Sequence, residues 1–154
     1  MKRVLLDSTY LFPLAGIDIQ GVERDAIRKV MAAGHELFIS EISLFELAAK
    51  GAKLVGNGSA DAERLAQAVQ SIVSYETLRK VRLWEDGVLP LAIALRSHHS
   101  DFMDCVILAS AASKCEILVT EDETLSRGEV ARLARRTNPE FLISNLKRLP
   151  RSSQ

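Results

Sequence analysis

The stretch DFMDCVILASAASKCEILVT, residues 101–120, predicts an apolar helix that leads directly into a buried strand. Residues 102–114 are the most apolar helical segment of the chain, and residues 115–120 form a short apolar run that ends just before Asp122. Helical periodicity and short apolar runs are the main sequence signals for helices and buried strands. A strand of this kind, placed between helices, is typical of a parallel sheet covered on both faces.

The same alternation continues toward both ends of the chain. The predicted strands lie at residues 2–6, 35–40, 77–84, 115–120 and 141–143, and the predicted helices at residues 20–33, 41–55, 60–75, 87–95, 102–114 and 128–136. Parallel strands need long crossover connections, which the helices supply. The sequence therefore predicts an α/β fold of three layers, α/β/α, with a mostly parallel central sheet flanked by helices.

Composition limits the classes of function. The chain has 154 residues, of which 47% are hydrophobic, and this suits a single domain. We expect the domain to span residues 1–150, with residues 151–154 as a frayed tail. Lys and Arg together number 20, as do Asp and Glu. This balance excludes binding of nucleic acid or membrane by bulk positive charge, so any nucleic-acid contact must come from a local patch.

No segment indicates export or a membrane. The first residues, MKRVLLDSTY, hold too short an apolar run for a signal peptide, and no uncharged run approaches the roughly 18 residues of a spanning helix. Cys105 and Cys115 lie in apolar segments without a metal-ligand spacing. We therefore expect a soluble, cytoplasmic protein without a structural zinc site.

Four carboxylates stand in apolar surroundings. Asp104 lies in a helix that is apolar nearly all round, so its carboxylate must be protonated, paired or bound to a metal. Asp7 and Asp122 follow predicted strands, at the sheet edge where α/β proteins place functional groups. Glu46 lies on a helix with apolar positions on most sides. Oxygen ligands of this kind favour Mg²⁺ or Mn²⁺ over zinc, and a cation would relieve the repulsion among them.

Each acid also has a structural interpretation. Asp7 would be a helix N-cap, and Asp104 would stabilise the start of the central helix, with Ser100 as N-cap and Asp101 in the first turn.

Capping offers the same alternative for the other two acids. A capping box that begins at Thr120 would leave Asp122 as a first-turn acid, and Ser43 would form a capping box with Glu46, which would also pair with Lys50. The four acids together, rather than any one alone, favour an acidic metal pocket.

Together, four segments of the chain resemble PIN-domain ribonucleases, most closely the VapC-type toxins of type II toxin–antitoxin pairs. The segments are VLLDSTYLF (4–12), ISEISLFELA (39–48), DFMDCVILASA (101–111) and EILVTEDETL (116–125). They occur in the family's order, and the resemblance extends over roughly residues 3–145. It implies a three-layer PIN-like fold.

The resemblance also implies roles for individual positions. The acids implied as catalytic metal ligands are Asp7, Glu46, Asp104 and Asp122. Asp101 would reach the metal through water, and Thr9 and Thr120 would support the site by holding its ligands. The segment DST at residues 7–9 departs mildly from the family's usual pattern but keeps the acid.

The implied function is a metal-dependent endoribonuclease that hydrolyses RNA phosphodiester bonds with Mg²⁺ or Mn²⁺ and leaves a 5′-phosphate and a 3′-hydroxyl. The implied partners are an RNA substrate, a small antitoxin protein and a second copy of the chain in a homodimer. Two alternatives stay open: a stand-alone PIN nuclease in RNA processing or decay, and a catalytically inactive PIN-like binding module. Retention of all four acids counts against the inactive module.

Basic and histidine residues complete the candidates. Arg132, Arg135 and Arg136 cluster on one predicted helix and are candidates for RNA binding, although a solvated helix face explains such clusters more often. His98 and His99 precede the central helix, and we interpret them as surface loop residues; the alternative is a phosphate contact or a proton relay.

Overall fold

The computed structural model describes residues 1–151, and its centre is a sheet of five parallel strands. The strands are β1 (Arg3–Leu6), β2 (Glu36–Ser40), β3 (Leu78–Val81), β4 (Ile117–Val119) and β5 (Leu142–Ser144). Their order across the sheet is β3, β2, β1, β4, β5. In the centre, Leu5 aligns with Phe38 on one side and with Leu118 on the other. The parallel sheet that the sequence predicts is confirmed.

Helices cover both faces of the sheet. The α-helices are α1 (Ala26–Ala32), α2 (Glu41–Gly56), α3 (Ala62–Ser74), α4 (Val88–Leu95), α5 (Phe102–Lys114) and α6 (Gly128–Thr137), and 3₁₀ helices span Ser8–Ala15, Glu123–Ser126 and Leu146–Arg148. Side chains of a strand alternate between faces. Leu5 accordingly packs with α4, α5 and α6, whereas Val4 and Leu6 pack with the Ser8–Ala15 helix, α1, α2 and α3. The three-layer α/β/α fold is confirmed.

The first helix is shorter than its sequence pattern predicts. We expect a helix over residues 20–33, but α1 begins at Ala26. Gly21 adopts a φ of 79° in the turn before it, a conformation that interrupts a right-handed helix. The other end agrees with the prediction, since Gly34 follows α1 with a φ of 79°, as a glycine that ends a helix does.

The predicted strand at residues 77–84 also ends early, at Val81. The amide of Leu83 donates a hydrogen bond to Glu41 Oε2 at 3.1 Å, so the chain has left the sheet by that point. Leu78 and Val81 are buried, which makes this strand less exposed than its basic residues suggest.

Within residues 1–151, no helix is long and apolar enough to cross a membrane. Cys105 and Cys115 are free and buried. Of the tail predicted at residues 151–154, the last three residues lie outside the part of the chain that the structure describes.

The sheet places Asp7 and Thr120 next to each other at the carboxyl ends of its strands. The amide of Asp7, just after β1, donates to the carbonyl of Val119 at 3.0 Å, and the amide of Thr120, just after β4, donates to the carbonyl of Ser144 at 2.9 Å. The ladder therefore continues one residue beyond each strand and fixes the backbones of Asp7 and Thr120 side by side.

Candidate metal centre

Asp7 is buried at the carboxyl end of β1, with 6% of its surface exposed. Thr120 Oγ1 donates a hydrogen bond to Asp7 Oδ2 at 2.6 Å, and Ser8 Oγ lies 3.3 Å from Oδ1. Burial raises the pKa of Asp7, the hydrogen bond from Thr120 opposes this, and the nearby charge of Glu46 raises the pKa further. Asp7 is thus a carboxylate whose charge is costly in the folded protein unless a cation joins it.

Glu46 is the second buried acid, with 5% of its surface exposed. The hydroxyl of Ser8 donates to its Oε2, and the ammonium of Lys50 forms a salt bridge with its Oε1. The expected pairing with Lys50, one helical turn later, is confirmed. The capping box expected with Ser43 is wrong, because α2 begins at Glu41 and both residues lie inside it.

Ser8, rather than Thr9, connects Asp7 with Glu46. Its hydroxyl approaches both carboxylates, because the chain turns directly after Asp7 into the Ser8–Ala15 helix. Thr9 Oγ1 is buried and has no hydrogen-bond partner within residues 1–151. The structure thus shows a contact to the acids from Ser8, which the sequence analysis did not single out.

Asp104 lies in the first turn of α5, and 24% of its side chain is exposed. The helix cap is Asp101, whose Oδ1 accepts from the amides of Met103 at 2.8 Å and Asp104 at 3.3 Å. The expectation of Ser100 as N-cap is therefore wrong. Asp101, which the structural interpretation of the sequence places in the first turn, instead caps the helix with one carboxylate oxygen.

His99 contacts Asp104 from the loop before α5. Its Nε2 lies 3.1 Å from Asp104 Oδ2, and only 13% of its side chain is exposed. Burial raises the pKa of Asp104 to about 6; the hydrogen bond with His99 lowers it, and the charges of Asp101 and Asp7 raise it. The interpretation of His98 and His99 as surface residues holds for His98, which is exposed, and is wrong for His99.

Asp122 follows β4 and is also held by local hydrogen bonds. Its amide donates to Thr120 Oγ1 at 3.1 Å, and its Oδ1 accepts from the amide of Thr124 at 2.9 Å and from its hydroxyl at 2.7 Å. Asp122, and not Thr120, is therefore the N-cap of the Glu123–Ser126 helix. The hydroxyl of Thr120 instead connects the side chain of Asp7 with the backbone of Asp122.

The acids divide into two neighbouring groups. We call Asp7 and Glu46 the buried pair, and His99, Asp104 and Asp122 the open cluster. In the open cluster one ligand atom of each residue lies within 4.8 Å of the other two, close enough for all three to contact one ion. The charge of Asp7 raises the pKa of Asp104, and the charge of Glu46 raises the pKa of Asp7, so the two groups interact electrostatically. This donor set of oxygens and one imidazole nitrogen fits a divalent cation.

The arginines proposed for RNA binding lie away from these acids. Helix α6 begins at Gly128, close behind the Glu123–Ser126 helix, and runs toward the opposite edge of the sheet, where Asn138 Nδ2 donates to the carbonyl of Cys115 ahead of β4. Arg135 and Arg136 stand in its last turn, and Arg132 pairs with Glu129. The structure does not bring these three side chains to the acidic site.

Two other arginines do lie beside the site. A polar cleft of about 430 Å³ includes Thr120 and Asp122 in its lining, together with Glu123, Arg127, Asn145 and Arg148. Arg127 forms a salt bridge with Glu123. The sequence signal for this cleft is modest: Arg148 belongs to a short basic run near the C-terminus, KRLPR at residues 147–151, whereas Arg127 belongs to no cluster of basic residues.

Comparison with known proteins agrees with this arrangement. A family model described as PIN domain matches residues 4–131, which is most of the chain. The matched range includes the four predicted acids, whereas the cleft residues Asn145 and Arg148 lie beyond it. Among curated proteins, none matches the chain.

Proposed function

Because the chain belongs to the PIN domain family, whose members are generally nucleases, we propose that it is a metal-dependent endoribonuclease that hydrolyses RNA phosphodiester bonds. The observation that carries this proposal is the grouping of carboxylates at the carboxyl edge of the parallel sheet, with Thr120 bonded to both Asp7 and Asp122. Open α/β sheets bind their ligands at this edge. The raised pKa values of Asp7 and Asp104 support a site that takes up a cation.

We assign the catalytic, metal-holding role to the four predicted acids, Asp7, Glu46, Asp104 and Asp122. A bound Mg²⁺ or Mn²⁺ ion supplies an activated water and stabilises charge on the phosphate oxygens. Ser8 and Thr120 hold the carboxylates of the buried pair in place by donating hydroxyl protons to them. Asp101 acts mainly as the cap of α5, since its carboxylate accepts two backbone amides there.

The RNA strand, in this proposal, lies along the polar cleft next to Asp122. Arg127 and Arg148 stand on its wall, where guanidinium groups pair well with phosphate. In this proposal the two residues take the role that the sequence offers to Arg132, Arg135 and Arg136, of which Arg135 and Arg136 lie in the last turn of α6, toward the other edge of the sheet. A local pair of cations of this kind suits a chain whose net charge is zero.

Cleavage of a mixed RNA pool tests the activity. We would compare the wild type, Asp104→Asn and, as a matched control, Asp86→Asn, an exposed aspartate outside the site, each with Mg²⁺, with Mn²⁺ and with EDTA. We expect cleavage by the wild type and the control only when metal is present, and a loss on the order of 10²–10³-fold in Asp104→Asn. Equal cleavage by Asp104→Asn and the wild type, or an inert wild type, would contradict the proposal.

A second comparison tests the path of the RNA. Arg148→Ala should weaken RNA binding and lower the slope of log affinity against log salt by about one, whereas Arg136→Ala should leave both nearly unchanged. The reverse result would move the RNA path to the last turn of α6.

At a finer level, we propose a VapC-type toxin that acts in the cytoplasm and is held inactive by a small antitoxin protein. The resemblance of the four sequence segments supports this, as does an apolar groove of about 710 Å³ beside α3, lined by Leu14, Ala68 and Ile72 among others. Expression should arrest growth, Asp104→Asn should not, and co-expression of a small protein encoded immediately upstream should restore growth. No arrest would favour the stand-alone nuclease instead.

The homodimer belongs to the same proposal. Exposed apolar side chains such as Phe45, Trp84 and Ile93 are available for burial between two copies. Sedimentation of the purified chain measures this directly: a mass of two chains supports the homodimer, and a monomer at all concentrations contradicts it.

A further inference from the structure

His99 differs from its neighbour His98 in a way that the proposed nuclease does not yet use. His98 is exposed, whereas His99 turns inward and keeps only 13% of its side chain exposed. Its Nε2 faces Asp104 Oδ2 at 3.1 Å. The imidazole therefore lies inside the acidic site, next to a carboxylate that we assign to the metal.

The backbone of His99 is held in this position from two sides. Arg96 Nη1 donates to the carbonyl of His99 at 3.3 Å, and the thiol of Cys105 lies 3.9 Å from the same oxygen. One contact comes from the end of α4 and the other from the first turns of α5. The backbone that carries the imidazole is thereby held between two helices.

The donor atoms of the open cluster lie close enough together to contact one ion. Ligands at about 2.1 Å from an octahedral ion lie roughly 3.0 Å apart along an edge and about 4.2 Å apart across the ion. His99 Nε2 and Asp104 Oδ2 are 3.1 Å apart, and one ligand atom of each of His99, Asp104 and Asp122 lies within 4.8 Å of the other two. The His99–Asp104 pair matches one edge of such a shell, and Asp122 lies close enough to contact the same ion.

We propose that His99 is a nitrogen ligand of the metal held by Asp104 and Asp122, and that it makes the site prefer Mn²⁺ to Mg²⁺. The inference rests on the proposed nuclease site and adds a residue type to it. Mg²⁺ takes oxygen ligands almost exclusively, whereas an imidazole nitrogen is a better partner for first-row transition metals. The four acids alone would not make this distinction.

Electron spin-echo spectroscopy of the Mn²⁺-loaded protein tests the ligand directly, because a coordinated imidazole nitrogen modulates the echo. We expect this modulation in the wild type and in His98→Gln, and its loss in His99→Gln. Absence of the modulation from the wild type, or its persistence in His99→Gln, would overturn the proposal. Absence of the modulation from the wild type is decisive even if a variant fails to fold.

Calorimetric titration with Mn²⁺ alone and with Mg²⁺ alone tests the preference. We expect His99→Gln to lose roughly 10-fold or more in Mn²⁺ affinity, with a smaller loss for Mg²⁺, and His98→Gln to match the wild type. Equal losses for the two ions, or no Mn²⁺ binding by the wild type, would overturn the proposal. These outcomes are separate from the nuclease test, since Asp104→Asn can abolish cleavage whether or not nitrogen binds the metal.

Discussion

The buried pair and the open cluster differ in what surrounds their carboxylates. In the buried pair, Asp7 and Glu46 are almost fully covered, and their oxygens receive hydrogen bonds or a salt bridge from Ser8, Thr120 and Lys50. Internal donors of this kind stabilise buried carboxylates and fix their position. Internal donors therefore position the oxygens of the buried pair, although burial still raises the pKa of Asp7.

The open cluster leaves more of its coordination to a ligand. Asp104 and His99 contact each other and remain partly exposed, and Asp122 shares one oxygen with Thr124. The pKa of Asp104 is raised to about 6, since burial and neighbouring acids disfavour its charge. Hydrogen bonds and a salt bridge within the protein therefore fix one side of the site, while the other side has room for an ion and a substrate.

Replacement of Asp7 by Asn gives the largest expected effect. Asn keeps an oxygen that can accept the hydrogen bond from Thr120 but removes the negative charge. If the buried pair contributes charge to the metal, cleavage of RNA should fall on the order of 10²–10³-fold, as for Asp104→Asn. Cleavage rates at saturating Mn²⁺ measure this, with Asp86→Asn as control. Near wild-type cleavage would show that Asp7 is only a structural partner of Thr120.

Thr120 connects the two groups, so its hydroxyl is the next most sensitive point. Thr120→Val has almost the same shape but cannot donate to Asp7 or accept from the amide of Asp122. We expect a 10–100-fold loss of metal affinity, as for other residues that orient ligands, and recovery in Thr120→Ser. Calorimetric titration with Mn²⁺ provides the measurement. Equal affinities for the Val and Ser variants would mean that the buried pair and the open cluster are independent.

The fold followed from the sequence because each element carries its own local signal. Apolar runs predicted the five strands, and periodic segments predicted the helices. The start of α1 was wrong because Gly21 interrupts the helix at a point where the apolar pattern continues. The apolar pattern alone predicts a helix at that point, but the positive φ of Gly21 is incompatible with a right-handed helix.

The site was less accessible to sequence reasoning, since its contacts depend on how loops fold. The acids stand out by type, and the structure groups them at the predicted edge, while their catalytic roles stay predictions. His99 reaches Asp104 only because the loop before α5 turns inward, which no periodicity encodes. Arg135 and Arg136 are clustered in the sequence, yet α6 carries them away from the acids.

The pH dependence of stability should reveal the charge of the open cluster. Because the pKa of Asp104 rises from 3.8 to about 6 on folding, the folded protein retains a proton that the unfolded chain loses in this range. The free energy of unfolding of the metal-free protein should therefore fall as pH rises from about 4 to 6. Asp104→Asn lacks this loss and should be more stable than the wild type by about 1–2 kcal/mol at neutral pH, after solvent screening.

Chemical denaturation in EDTA at a series of pH values measures this difference. We expect the curves of wild type and Asp104→Asn to coincide below about pH 4, to separate between about pH 4 and 6, and to keep a constant difference above that range. Asp86→Asn should follow the wild type throughout. A variant that is less stable than the wild type at neutral pH would mean that hydrogen bonds to the Asp104 carboxylate outweigh its desolvation, and the contrast with the buried pair would disappear.

Substitution of Lys50 has the smallest expected effect. Its ammonium already pairs with Glu46, one of the two acids of the buried pair. Its ammonium contacts Glu46, and the hydrogen bond to Glu46, followed by the charges of Asp101 and Asp104, raises the pKa of Lys50. A metal ion must compete with this ammonium for Glu46. Lys50→Met keeps the apolar stem and removes the charge, so Mn²⁺ affinity should rise, by at most about fivefold for an ion pair whose ammonium is largely exposed.

Lys53→Met, which removes an exposed lysine from the same helix, controls for the change in net charge. A gain in Mn²⁺ affinity confined to Lys50→Met would show that the protein's own cation and the metal share the buried pair. A loss of affinity in Lys50→Met would have the opposite meaning: the ammonium would hold Glu46 in its ligating position, and the rigidity of the buried pair would depend on an ion pair at the surface rather than on burial.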